Sequence, residues 1–342
     1  MENRKEAFFE FAKELFAIDS PTGYTHHAIA WLKEKAENMG YKTWINAKGN
    51  LYVEVEGEDN TNTKGLCAHV DTLGLMVRSI KSDGKLSFTV LGGPLLPTYD
   101  GEYCRVYTRE GKVYTGTILS TSPSVHVYPD ARSSSRECEH MEVRLDEVVK
   151  TAEDTKKLGI MNGDFIALDP KTTVTESGFI KSRFLDDKIS VACLFQVLKE
   201  LKEKNLKPKH RTLVMITVYE EVGHGNSWIP SDVNELLAVD MGCIGLDLAC
   251  SEYDVSICAK DSSGPYDYHM TSELISIAKQ KNLNYAVDIY PMYGSDVSAA
   301  LRGGHDIKGA LIGPGVHASH GMERTHYDGL NATIELILGY LL

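Results

Sequence analysis

Glu220 and Glu221 stand side by side in Val218-Tyr219-Glu220-Glu221-Val222-Gly223-His224-Gly225, directly after the apolar run Thr212-Leu213-Val214-Met215-Ile216-Thr217. A β-branched run of that length suits a strand buried on both faces of a parallel sheet, so two carboxylates sit where a buried strand ends. In open α/β sheets that carboxyl edge is where ligands bind. Adjacent side chains on extended backbone point in different directions, which suits one glutamate to metal ligation and the other to general-base work beside it. Taken alone, the pair reads equally as a charged strand end meeting solvent.

Other stretches have the same form. Gly65-Leu66-Cys67-Ala68-His69-Val70-Asp71-Thr72 is an apolar strand ending in polar groups. Its His69 and Asp71 are two apart and can project to one side, an imidazole ligand with a carboxylate to orient it. Asp186 and Asp187 precede the periodic run Ile189, Cys193, Val197, Leu201 and so sit at a helix start. Capping explains one of them, and the helix dipole adds only about 0.3–1 kcal/mol for the other. Asp240 is the first polar residue after Leu236-Leu237-Ala238-Val239, and three histidines lie in His317-Ala318-Ser319-His320-Gly321-Met322-Glu323-Arg324-Thr325-His326. Asp296 falls between a strand and a helix at the same edge, as a grip for a substrate amine or as an N-cap.

Together these are the nitrogen and oxygen donors that zinc, cobalt or manganese accepts. Five ligands exceed one tetrahedral ion but suit two, bridged by a carboxylate, about 3.5–4 Å apart with a hydroxide clamped between them. Hydrolysis is the chemistry that follows.

The elements that must position these residues are legible from periodicity. Helices are expected where Phe8, Ala12, Leu15 and Phe16 repeat, where Ile29, Leu32, Ala36 and Met39 repeat up to Gly40, and again after Asp187, at 272–281 and at 331–341. Strands are expected around Leu51–Val55, Leu237–Val239, Val255–Cys258, Tyr285–Ile289 and Gly309–Ile312. From 76 to 174 the texture changes to short alternating runs between Gly-rich turns, with a polar, mobile loop at 130–140. The expected fold is α/β: a doubly wound mixed sheet forming a catalytic domain from 1–75 plus 175–342, interrupted by a small β-rich, barrel-like domain at 76–174.

Lys+Arg 36 against Asp+Glu 48 gives a net charge of -12, which argues against nucleic-acid or anionic-membrane partners. The seven cysteines are widely spaced with no Cys-x-x-Cys pair, as expected of free thiols in a reducing, cytoplasmic compartment. The first residues carry mixed charge with no apolar core behind them, unlike a signal peptide.

The order His69-Val-Asp71, Leu185-Asp186-Asp187-Lys188, Glu220-Glu221-Val-Gly, Val239-Asp240 and Ser319-His320-Gly resembles the dimetal aminopeptidases of clan MH, nearest to the glutamyl aminopeptidase and endoglucanase-M-like family of tetrahedral aminopeptidases. The resemblance covers nearly the whole chain. It implies two divalent ions per subunit, Zn, Co or Mn. His69 and Asp240 would hold one and Glu221 and His320 the other, with Asp186 bridging. Asp71 would orient His69, Glu220 would be the general base, and the Asp186–Asp187 peptide would be cis. Ser319-His320-Gly321 matches the last motif best, with His317 the alternative. Thr72 stands where the family usually has an acid.

The implied activity is removal of N-terminal residues from peptides. The implied assembly is a homo-oligomer, a dodecamer of dimers built through the 76–174 insertion, whose strands would otherwise leave open edges. Alternatives are a dipeptidase or aminoacylase of the same clan, a glycan hydrolase as the endoglucanase label suggests, and a non-catalytic binding module, in which a ligand or the base would be expected to be replaced.

Overall fold

The computed structural model describes residues 2–342, with side chains from Arg4 onward. The chain forms two compact units, one of residues 1–71 and 171–342 and the other of residues 72–170. The bounds expected from composition, 76 and 174, thus move to 72 and 170.

The larger unit is built on a mixed ten-stranded sheet. Its centre is parallel: His210–Thr217 pairs with Asp59–His69, which pairs with Val233–Val239, which pairs with Lys308–Val316. Antiparallel strands flank this core, with Leu51–Val55 against His210–Thr217 and Val255–Asp261 against Lys308–Val316. The central strands are buried on both faces, which is why their sequences read as continuous apolar runs rather than alternations.

The helix Leu185–Glu203 lies against the strand Asp59–His69 and against the helices Glu2–Phe16 and Tyr327–Leu341. Its apolar side chains Ile189, Val191, Leu194, Phe195, Val197 and Leu198 are all buried. At about 1.5–3 kcal/mol for each large apolar side chain, this helix anchors the sheet edge that carries the site. The helix His26–Asn38 buries Ala28, Ile29, Leu32 and Ala36 and is followed by Gly40 at φ 81, a left-handed position that suits glycine. The expected helix starts at 272 and 331 shift to Tyr268 and Tyr327, because Asp267 and His326 cap the first turns from outside the apolar repeat.

Within the smaller unit, Gly74–Ile80, Leu86–Leu91, Met141–Leu145, Val113–Ser120, Tyr103–Tyr107 and Phe165–Leu168 pair in that order and close into an antiparallel barrel. Leu75, Val77, Leu86, Phe88, Val106, Ile118, Val143 and Ile166 are among its buried apolar residues. Closure corrects the expectation of open strand edges here, since each barrel strand is paired on both sides. The 130–140 stretch is tied by Arg136, whose Nε donates to Asp100 at 2.9 Å and whose Nη2 donates to the Ala131 carbonyl at 3.2 Å. All seven cysteines are free thiols, and among the described residues no helix is long and apolar enough to cross a membrane.

Candidate metal centre

Three neighbouring parallel strands end together. His69 is the last residue of Asp59–His69, Glu220 and Glu221 form a 3-10 turn just after His210–Thr217, and Asp240 follows Val233–Val239. Asp186 comes to the same place from the start of the long helix, although the capping role does not hold. Phe184 occupies the N-cap position at φ 67, Asp186 and Asp187 have non-helical backbone angles, and the peptide between them is cis.

The Asp186 carboxylate lies between two imidazoles. Its Oδ1 is 3.1 Å from His69 Nε2, and its Oδ2 is 3.4 Å from His320 Nε2 and accepts from Ser319 Oγ at 3.3 Å. Glu221 faces His320 Nε2 at 3.7 Å, and Glu220 faces His69 Nε2 at 3.8 Å. His69 Nδ1 is 2.9 Å from the main-chain oxygen of Asp71. A carbonyl can only accept, so Nδ1 carries a proton, and Nε2 is the ring nitrogen that faces the centre.

Asp71 therefore orients His69 through its backbone, while its carboxylate, 3.6 Å from Nδ1 at best, does something else. Oδ1 accepts the Glu220 N–H at 3.1 Å, and Oδ2 accepts the Thr22 hydroxyl at 2.7 Å and the Glu221 N–H at 3.4 Å. It fixes the turn that holds both glutamates.

Of the three histidines near the C-terminus, only His320 approaches Asp186 and Glu221. His317 is exposed and bridges to Arg324 through its backbone, while His326 caps the last helix through Nδ1 and meets the Ser177 carbonyl through Nε2.

Asp296 is placed differently from either sequence expectation. Ser295 holds the N-cap position, and the Asp296 carboxylate, 3% exposed, accepts from Thr217 Oγ1 and from the Asn226 N–H at 2.7 Å. Both oxygens face protein donors, so the residue braces the loop behind the glutamate turn instead of offering a grip to an amine. Lys48 donates to the Gly225 carbonyl at 3.0 Å and Asn50 to the same oxygen at 3.2 Å, holding that loop from the other side. Neither residue carried a sequence signal, because both lie in the loop between the strands Lys42–Ile45 and Leu51–Val55, where polar side chains are ordinary.

Asp187 is a further residue that motif reasoning passed over. Its Oδ2 accepts the His69 N–H at 3.2 Å, while Oδ1 is buried with no hydrogen-bond partner, as is Glu221 Oε1. Burial, reinforced by neighbouring carboxylates, pushes Asp187, Glu220 and Glu221 well above their ordinary values and Asp240 up to about 7. Burial also acts to raise Asp186, but His320 and His69 outweigh it and hold that carboxyl low. A buried excess of carboxylates with orphaned oxygens is costly unless cations compensate it. The donor set fits divalent ions: ligand atoms of His69, Asp186 and Glu221, and of His69, Asp187 and Asp240, each converge to within 4.8 Å of one another.

The fold is one seen in solved aminopeptidases. The fold matches a TET aminopeptidase from a marine-sediment Thaumarchaeota archaeon, with a TM-score of 0.88 at 20% identity over 98% of this chain and 96% of that one. It also matches the TET1 peptidase of Pyrococcus horikoshii, described as assembling into a tetrahedron or a large octahedral shell, with a TM-score of 0.85 at 22% identity over 98% and 99%. Residues 49–336 match the M42 glutamyl aminopeptidase family, and the chain belongs to that metal-dependent family. A Bacillus subtilis (strain 168) protein named "Putative aminopeptidase YhfE" is 47% identical over 333 residues, 97% of this chain and 96% of its own.

Proposed function

We propose that the chain is a metallo-aminopeptidase with two divalent ions per subunit, zinc, cobalt or manganese. The observation that carries the reading is the Asp186 carboxylate, one oxygen toward His69 at 3.1 Å and the other toward His320 at 3.4 Å, the arrangement expected of a bridging ligand. His69 and Asp240 would hold one ion, Glu221 and His320 the other, and Asp186 both. Bound there, the ions would polarise the scissile carbonyl and make water nucleophilic at neutral pH.

The remaining steps belong to the chain. Glu220 contributes no ligand in this assignment. Its carboxylate takes the proton from the attacking water and passes it to the leaving amine, which is general acid–base work. Asp71 holds the Glu220 main chain so that this carboxylate stays beside His69. His69, Asp186, Asp187 and Asp240 are buried, which strengthens the charge interactions among them.

A glycosidase would need two carboxylates facing each other across a sugar bond, whereas here the carboxylates gather around two imidazoles. A binding module that had lost its chemistry would have lost a ligand or the base, and His69, Asp186, Glu220, Glu221, Asp240 and His320 are all present.

A homo-oligomer, a dodecamer of dimers assembled through the barrel unit, accompanies this reading. It is supported by the exposed apolar side chains Leu95, Tyr103, Val113, Val125, Val127 and Val148 of that unit. The seven free thiols favour a cytoplasmic location.

The test is exhaustive chelation followed by metal return, read on a peptide anilide and on a glycan. Activity on the anilide should vanish and come back with Zn²⁺, Co²⁺ or Mn²⁺. Full activity of protein with no measurable metal would remove the proposal. Light scattering of the same sample should give an oligomer, and a monomer at micromolar concentration would remove the assembly.

A further inference from the structure

Glu323 is buried, 2% exposed, and its two carboxylate oxygens are divided between two of the segments that converge on the centre. Oε2 accepts the main-chain N–H of Asp186 at 3.1 Å, and Oε1 accepts the main-chain N–H of His320 at 3.0 Å. Both donors lie outside regular ladders: Asp186 has φ -74 and ψ 102, and His320 has φ 64. A buried N–H in such a place needs an acceptor from elsewhere, and one carboxylate supplies both.

The placement follows from strand register. Glu323 opens the strand Glu323–His326 and lies opposite Ser182, the last residue of Phe179–Ser182, in an antiparallel pair. The chain that leaves Ser182 reaches Asp186 four residues later, while Glu323 lies three residues after His320. The ladder therefore carries this side chain to the point where the two segments meet. Arg183 Nη1, donating to the Gly321 carbonyl at 3.3 Å, ties the same two segments a second time.

We infer that Glu323 is a positioning residue that sets the spacing of Asp186 and His320 and thereby the affinity of the metal pocket they share. Each of its oxygens is engaged by a main-chain donor, and no ligand role is assigned to it. The inference rests on Asp186 and His320 being ligands, as proposed above. Two converging donors require two acceptor atoms. Glutamine would turn an NH₂ toward one of the N–H groups, and aspartate, one methylene shorter, would not reach both at once.

The experiment is calorimetric titration of zinc into the metal-free full-length protein, wild type against Glu323→Gln and Glu323→Asp, with melting temperatures taken with and without zinc. Outer partners of metal ligands are typically worth about 10–100-fold in affinity. Both variants should lose about that factor at one of two zinc sites, show a smaller zinc-induced rise in melting temperature, and recover turnover in excess zinc. Should Glu323→Gln fail to fold, Glu323→Asp, which keeps the charge, carries the comparison. A purely architectural role predicts something different: lower melting without zinc, but zinc affinity within about twofold of wild type. That result would overturn the inference. If the ligand reading is wrong, wild-type protein itself takes up no zinc, and the role of Glu323 falls with it.

Discussion

The Asp71 carboxylate accepts the main-chain N–H of Glu220 at 3.1 Å, across 149 residues of sequence. The end of one buried strand thereby holds the turn at the end of its neighbour. A carboxylate that looks like a histidine-orienting group in the sequence spends its oxygens on the turn carrying the proposed base and a proposed ligand.

Replacing Asp71 by Asn leaves the fold's volume unchanged but presents a donor where donors already converge. We expect kcat to fall about 10–100-fold, as for other groups that orient a metal-site constellation. Thr22→Val, which removes one of the donors to the same carboxylate, should cost less than about tenfold, the worth of one ordinary hydrogen bond. Steady-state kinetics on both variants checks the order. An Asp71→Asn enzyme as active as wild type would contradict the role.

Glu220→Gln and Glu221→Gln should fail in different ways although the residues are adjacent. The first removes proton transfer and no ligand, so turnover drops by about 10²–10⁴ with metal content intact. The second replaces an anionic ligand by a neutral amide, so metal is lost and activity partly returns at high metal concentration. Metal analysis beside kinetics decides, and metal loss in Glu220→Gln would reverse the assignment.

Gly225 has no room for a side chain, because a Cβ there would lie 2.1 Å from Asp296 Oδ1. Gly225→Ala must displace either the loop or the buried carboxylate that braces it. We expect about 1–3 kcal/mol of destabilisation, from overpacking, together with reduced turnover. Urea unfolding gives the first quantity, and an unchanged midpoint would show that the loop yields freely.

Glu200 offers a pH test away from the metal centre. Buried on the long helix, it meets Arg4 at 2.5 Å, Lys204 at 2.6 Å and Gln196 at 2.8 Å. Burial acts to raise its carboxyl, but hydrogen bonds from Gln196 and Lys204 and the charge of Arg4 leave it below the ordinary value of 4.5. A carboxyl depressed by folding stabilises the protein above its unfolded value, and that contribution disappears as pH falls through the folded value. Glu200→Gln should therefore unfold about 1–3 kcal/mol more easily at neutral pH, with the gap closing as pH falls below the ordinary carboxyl value of 4.5. A gap that is constant from pH 7 to pH 3.5 would exclude a charge-based contribution.

Residue type and local period determined which elements form and what each carries at its end. The runs before His69, Glu220 and Asp240 are apolar because those strands are buried on both faces, and a buried strand can carry polar chemistry only where it stops. Strands and helix faces were legible for the same reason, since period 2 and period 3.6 are properties of neighbouring residues. The family's motifs, being short and contiguous, were legible as well.

Which donor each oxygen meets was decided by the tertiary structure alone. The sheet order sets Asp59–His69 between His210–Thr217 and Val233–Val239, and that placement brings Asp71 under the Glu220 turn. Strand register puts Glu323 against Asp186 and His320, and the packing of 296–302 turns Asp296 toward Thr217 and Asn226 instead of toward solvent. Closure of the barrel is of the same kind, since pairing of Gly74–Ile80 with Phe165–Leu168 joins its first and last strands. A hydrogen bond between residues 137 or 149 positions apart leaves no period and no composition to read, because its geometry exists only once the intervening chain has folded.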